Sequence, residues 1–152
     1  MRRTIVGFHP DELGDWVAEL DCLHGQHVRH DPPLWPRPWV LTTAERDAKV
    51  GTALDCPLCD RAELPEGLRR ARTAGPFDAE TLPAGLRRTH LVAARTWGLL
   101  RVRAGHARLL LEVTPPVEAD LAAGDVHAIP PEVAHRVTLD DDAVVEIAFL
   151  TR

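Results

Sequence analysis

The chain has no run of about 18 apolar residues, so no segment reads as a membrane-spanning helix, and no charged, apolar, small-residue leader pattern opens it. It also lacks a P-loop, a GxG nucleotide loop, a Ser-His-Asp arrangement with supporting local context and a paired-carboxylate acid/base constellation. Lysine is nearly missing: of 18 basic residues only Lys49 is not arginine, a bias that with the many Ala and Pro fits a GC-rich genome better than a function. Excess positive charge is absent too. The net charge is −5, with 7 basic and 10 acidic groups over residues 1–61 and 8 and 9 over residues 81–152, which argues against nucleic acid as a partner. No internal repeat suggests a solenoid or propeller. Cysteine is scarce, with three residues, too few for a disulfide framework and better suited to metal ligation in a reducing compartment, so a cytoplasmic location is expected.

What is present is concentrated between Leu20 and Cys59. In LDCLHGQHVRHDPPLWPRPWV, Cys22, His24, His27 and His30 fall within nine residues, and Cys56 and Cys59 follow as C-P-L-C. A C-x-H and a C-x-x-C supply four donors in two close pairs, the way small tetrahedral zinc sites are built. On an extended segment Cys22, His24 and His30 point one way and His27 the other, which favours His24 as the partner of Cys22. The expected ligands of one structural zinc are therefore Cys22, His24, Cys56 and Cys59. A redox dithiol, a disulfide and thiols that merely pack are the competing readings; the first lacks a βαβ setting, the second leaves one cysteine over, and none uses the histidines.

Residues 3–9 and 14–21 read as two strands joined by the turn P-D-E-L-G, with His9 at the corner and Trp16 over a small core. DPPLWPRPWV is a rigid extended loop because its four prolines remove backbone donors. Trp35, Arg37 and Trp39 there either cap the core or offer an aromatic, cationic surface to a partner. Thr42 and Glu45 form a capping-box pattern that predicts a short helix over about 43–50, with Gly51 as its stop.

The run IVGFHPDELGDWVAELDCLHGQHVRHDPPLWPRPWV with the later LDCPLCDR resembles a small bacterial family of uncharacterised domains, sometimes described as pressure-regulated-protein-like, over about residues 1 to 61. The shared residues, in order, are G-F-H, W-V-A-x-L-x-C, H-x-x-H-V-R-H-x-P-P, R-P-W-V and C-x-x-C. The resemblance implies a real domain and no activity. One departure is Leu23, where the family pattern has glycine, which matters if the turn from Cys22 to His24 needs a positive φ.

Residues 62–80, punctuated by Pro65, Gly67, Gly75 and Pro76, read as a linker that Leu68 and Phe77 dock. From Leu82 the pattern becomes strand after strand: GLRRTHLV, WGLLRVRA, HARLLLEV, DVHAIP, HRVTL and AVVEIAFL. Such spacing predicts a sandwich or small barrel of jelly-roll type. The expected architecture is mainly β: an α+β zinc-knuckle domain over 1–61, a linker over 62–80 and a β-barrel over 81–152.

Within this half, Gly124, Pro130 and His135 fit the second cupin motif G-x5-P-x-G-x2-H, with Glu132 where the second glycine is usual. Through L-P-x-G-L-R-R-x-H, W-G-L-L-R-V, I-P-P-x-V-x-H and E-I-A-F, the segment from about Leu82 to Arg152 resembles a cupin-like family found at the front of some tellurite-resistance methyltransferases and as stand-alone stress-response proteins. That resemblance implies a β-sandwich with a bound divalent metal. His90 and His135 transfer as ligands, whereas Val92 and Trp97 replace other positions of the first cupin motif. Glu146 is the third candidate, because it shares a face with Ala148, the position where relatives carry a carboxylate. Two histidines and a carboxylate suit zinc, iron or manganese with open positions; two partly buried histidines satisfied by backbone groups are the alternative. His127 shares the inward parity of His135, and His106 sits beside a glycine turn.

No methyltransferase signature accompanies the cupin-like half, so tellurite methylation is not expected of these residues. Three functions fit the sequence. The first is a metal-binding protein whose barrel holds a small molecule or anion, favoured by Arg88 or Arg101, in a stress or toxic-oxyanion response. The second is a metal-dependent cupin enzyme of hydrolase or dioxygenase type. The third is a protein or nucleic-acid interaction module built on Trp35, Arg37 and Trp39. A homodimer through sheet edges is also expected of cupins.

Overall fold

The computed structural model describes residues 1–152, and the chain divides into two compact units, Met1–Asp60 and Arg61–Arg152. The fold is mainly β, as the alternating patterns predict. No helix is long and apolar enough to cross a membrane.

In the first unit β1 (Arg2–Pro10), β2 (Trp16–Leu20), β3 (Gly25–Val28) and β4 (Ala53–Asp55) make one antiparallel sheet in the order β3-β2-β1-β4. The β1–β2 hairpin is the one the sequence predicts, and its corner is an Asx turn: Asp11 Oδ1 accepts from the Leu13 and Asp15 amides at 2.8 and 2.9 Å. β3 and β4 lie outside the predicted strands, being four and three residues long and too short to show a period. Ile5, Val17, Leu20, Leu23, Val28 and Val40 supply most of a small core. Helix α1 (Thr43–Asp47) starts at the predicted cap, with Thr42 Oγ1 accepting from the Glu45 amide at 3.3 Å. It ends before the predicted residue 50, in a turn that carries the chain to Gly51 at φ +85°. On α1, Arg46 is buried: it donates to the Val40 carbonyl at 2.6 Å and to Thr43 Oγ1 at 3.0 Å and lies 3.6 Å from the Trp16 ring centroid. A guanidinium tolerates burial only with such partners. A single helical turn, α2 (Pro57–Asp60), carries the C-x-x-C.

The second unit has two antiparallel sheets. The strands are β5 (Arg69–Phe77), β6 (Trp97–Ala104), β7 (His106–Leu111), β8 (Val117–Ala122), β9 (Val126–Ile129), β10 (His135–Leu139) and β11 (Val144–Thr151). The sheet orders are β5-β11-β6-β9 and β10-β7-β8. In β6 and β7 the buried residues Leu100, Val102, Ala107, Leu109 and Leu111 alternate with the exposed Arg101, Arg103 and Arg108, so one face of each strand enters the core.

Three sequence expectations change here. Residues 69–77 of the expected linker form β5, paired along β11 from Phe77↔Val145 to Arg69↔Thr151. Seven of its nine residues are exposed, so backbone pairing rather than an apolar face makes it a strand. GLRRTHLV, expected as a strand, instead opens with the short helix α3 (Ala84–Arg87) behind Pro83 and then meets β10 only through the bridge His90↔His135. β8 lies outside the expected strands although its inward Val117, Ala119 and Leu121 alternate with the exposed Glu118 and Asp120 in a half-buried strand pattern.

Gly105 turns β6 into β7 at φ +62°, and a Cβ there would lie 2.6 Å from Asp142 Oδ1 and 2.7 Å from the Ala143 backbone nitrogen. Gly105→Ala is therefore expected to destabilise the second unit by more than about 1 kcal/mol, because the backbone cannot yield as a side chain could. Urea denaturation followed through amides of residues 61–152 checks this; an unchanged midpoint would refute it.

Candidate metal centre and second-unit cavity

The first centre forms where two short turns meet beside β1. Cys22 and His24 occupy the β2–β3 turn, closed by Leu23 N–H donating to the Leu20 carbonyl at 2.8 Å and Leu20 N–H donating to the His24 carbonyl at 3.0 Å. This turn does need a positive φ, and Leu23 supplies it at φ 73°. The left-handed conformation costs a leucine about 1–2 kcal/mol; burial of its side chain, about 1.5–3 kcal/mol, offsets that. Asp21 pins the turn to β1, its carboxylate accepting from Arg3 Nε at 2.7 Å and from the Thr4 amide at 3.1 Å. On the other side β4 pairs with β1, and the Cys56 amide donates to the Met1 carbonyl at 2.8 Å. The Met1 ammonium binds Asp60 at the end of α2.

These constraints bring Cys22, His24, Cys56 and Cys59 together, all buried, with their donor atoms within 4.8 Å of one another. His24 Nδ1 lies 3.5 Å from Cys22 Sγ, 3.4 Å from Cys56 Sγ and 3.6 Å from Cys59 Sγ, and Cys22 Sγ lies 3.9 Å from Cys56 Sγ. A tetrahedral ion with metal–sulfur bonds of about 2.3 Å and metal–nitrogen bonds of about 2.0–2.1 Å has edges of roughly 3.8 Å between sulfurs and 3.6 Å between sulfur and nitrogen. The four separations given match those edges. A disulfide is ruled out by the sulfur separation, since S–S bonds are about 2.05 Å, and all three cysteines are free.

The protonation states follow from the same crowding. Burial alone would lower the His24 pKa, but hydrogen bonds to Cys22 and Cys56 and their charge outweigh it and raise it to about 9. Hydrogen bonds from Cys22 and Cys59 hold the Cys56 thiol far below its ordinary range, and Cys59, facing the same neighbours, is pushed up. A cation bound among the four donors would displace their protons. Four protein donors would leave a tetrahedral ion no open position for substrate, as in structural rather than catalytic zinc sites.

The other histidines of the first unit stay outside. His27 Nε2 pairs with Asp11 Oδ2 at 2.9 Å, and its hydrogen bond holds the Asp11 carboxyl below its usual range. His9 Nδ1 pairs with Glu19 Oε1 at 2.8 Å. His30 borders a separate hollow with Trp16 and Asp31. Trp39 sits near Phe8, with ring centroids 6.0 Å apart, while Trp35 is 54% exposed with the Arg37 guanidinium 5.6 Å from its ring.

In the second unit His90 and His135 do come together, their ring centroids 4.1 Å apart. Their Nδ1 atoms lie 2.9 Å from the Arg88 carbonyl and 2.7 Å from the Val133 carbonyl. A carbonyl only accepts, so each Nδ1 carries the hydrogen and each Nε2 is left as the lone-pair nitrogen. Burial lowers the His135 pKa, which keeps that ring neutral. Both rings border a cavity of about 520 Å³ whose other walls are mostly apolar, among them Leu86, Val92, Ile129, Val137, Ile147 and Phe149. Sequence reasoning missed Arg72 of β5, which also lines this cavity with its guanidinium 3.8 Å from the Phe149 ring centroid. Its position in an expected linker hid it.

Glu146 does not join them. Ile147, Phe149 and Thr151 line the cavity, so on β11 the alternate residue Glu146 faces the other way and accepts from Arg103 Nη1 at 2.9 Å in a hollow shared with Arg70 and Arg101. Glu146 as third ligand is corrected on that ground. Zinc, iron or manganese at His90 and His135 would lack the third protein ligand that such sites use. His127 Nδ1 donates to the Ala128 carbonyl at 2.8 Å.

Residues 72–147, half of the chain, match the family model described as TehB-like domain. The chain belongs to the TehB-like family. The same chain matches, over residues 6–63, the model described as Protein of unknown function (DUF3565), so both parts of the two-part reading have a family. The TehB-like unit resembles two solved structures. One is a protein from E. coli strain K12, at 23% identity over 59% of this chain and 95% of that one, with a TM-score of 0.53. The other is TehB from Haemophilus influenzae, at 21% identity over 57% of this chain and a TM-score of 0.52. The match spans only 32% of that TehB chain. At such identities the likeness establishes the fold of the TehB-like unit alone. No curated protein matches the chain.

Proposed function

We propose that this is a small cytoplasmic metal-binding protein in which a structural zinc on Cys22, His24, Cys56 and Cys59 shapes the first unit, and a cupin-like jelly-roll in the TehB-like unit binds a small molecule or anion. The observation that carries the reading is the cluster of four buried donors with the edge lengths of a zinc tetrahedron. Three thiolates and one imidazole favour zinc over the harder cations, which select oxygen. For the barrel, support comes from the cavity, whose volume lies in the range of small-molecule sites, about 300–1,000 Å³, and whose few polar groups stand in an apolar wall. The name of the related TehB protein and the tellurite-resistance association of its family point toward a stress or toxic-oxyanion response.

Elemental analysis of the purified chain tests the metal half. One zinc per chain is expected, retained in His90→Leu and lost in Cys59→Ser. Zinc that persists in Cys59→Ser, or that leaves with His90, would place the ion elsewhere and defeat the proposal.

A further inference from the structure

The TehB-like cavity sorts its polar atoms by hydrogen-bonding sense. Arg72 is a permanent cation with donors only, and it lies against Phe149 with no acidic partner. His90 and His135 have committed their Nδ1 hydrogens to carbonyls, so both Nε2 atoms are acceptors only. None of the residues lining the cavity is acidic. Glu112, whose charge reaches His135, accepts from Thr89 Oγ1 at 2.5 Å and is not part of the wall.

Each feature removes a ligand class. A metal dication would meet two imidazoles, a fixed positive charge and no carboxylate, which is a poor set for any divalent ion. A cationic ligand meets the same guanidinium. A bare inorganic anion would satisfy Arg72 but leave the apolar wall unfilled, and a hydrocarbon would leave the imidazole acceptors without a donor. The complement of this cavity carries an anionic acceptor for the guanidinium, a hydroxyl hydrogen for the imidazoles and an apolar body between them. We infer that the TehB-like cavity binds a small hydroxy-carboxylic acid of apolar body, with its carboxylate on Arg72 and its hydroxyl donating to Nε2 of His90 or His135. This rests on the reading of the second unit as a ligand-binding barrel and deepens it.

Isothermal titration of the full, zinc-replete chain with the three isomeric hydroxybenzoates, benzoate, phenol, the methoxybenzoates and inorganic phosphate tests it. At least one hydroxybenzoate is expected to bind about 10-fold or more tighter than benzoate, phenol and its own methoxy analogue, since each lacks one of the two matched groups. Arg72→Gln is expected to bring that hydroxybenzoate down to the level of phenol while leaving phenol unchanged. Either His90→Leu or His135→Leu is expected to bring it down to the level of benzoate while leaving benzoate unchanged, and a hydroxybenzoate preference that survives both variants would overturn the inference. The unchanged comparator in each variant separates loss of a contact from loss of the fold. Benzoate or phosphate binding as tightly as every hydroxybenzoate would overturn the inference and leave the barrel an anion site; no binding by any of these compounds would overturn the barrel reading as well.

Discussion

Cys56→Ser is expected to unfold residues 1–60 at room temperature while residues 61–152 keep their native signals. The reason is size. A 60-residue unit buries only about 60% of the surface its unfolded chain exposes, and a core of that scale rarely supplies more than about 3–5 kcal/mol. About six large apolar side chains make up most of the core here, and two of the turns that complete it, 21–24 and 56–60, are those that carry the cysteines. Structural zinc contributes apparent binding free energies of about 10–16 kcal/mol in small zinc-finger peptides, so a zinc held by the four donors would outweigh the core. Serine keeps the shape of Cys56 and removes the thiolate, leaving Cys22, His24 and Cys59 as an incomplete set in a buried place. Amide correlation spectra of the variant read the outcome directly. Collapsed dispersion for the first unit with the second unit intact is the expected pattern; a folded first unit carrying no metal would show that the core suffices.

Trp97→Ala should be the most damaging single change in the TehB-like unit, costing about 3–5 kcal/mol. Trp97 opens β6, pairs with Leu150 of β11 and is fully buried. Truncating it leaves a cavity the size of an indole among the rigid strands of a four-stranded sheet, where little can collapse into the space. Against a typical domain stability of about 5–15 kcal/mol, roughly a fifth or more of the total disappears. Urea denaturation monitored in the second unit would give a midpoint far below that of the unaltered chain, with Trp97→Phe in between. A loss under about 1 kcal/mol would mean the tryptophan is not part of the core.

The sequence was most legible where local chemistry and tertiary packing agree. The β1–β2 hairpin, the Thr42 cap and the four zinc-type donors all rest on spacings of a few residues, and each is found where the residues place it. Two departures from family patterns were informative in themselves. Leu23 and Glu132 stand where glycine is usual, and they lie at φ 73° and φ 56°, so the glycine in each pattern marks a left-handed turn that this chain makes without it. What stayed hidden depends on partners distant in sequence. β5 has almost no buried face, so nothing in RRARTAGPF announces a strand until β11 is there to pair with it. Arg72 was hidden with it. For Glu146 the parity relative to Ala148 was right, but which face of β11 meets the cavity is set by β5 and β6 together, and the register shifts in both pairings are invisible in the sequence.

X-ray absorption at the zinc edge of the purified full chain bears most directly on the central claim, that four side chains close around one ion. A single zinc with three sulfur neighbours at about 2.3 Å and one nitrogen at about 2.0–2.1 Å is the expected shell. A shell without sulfur, or a well-folded first unit carrying no ion at all, would contradict it.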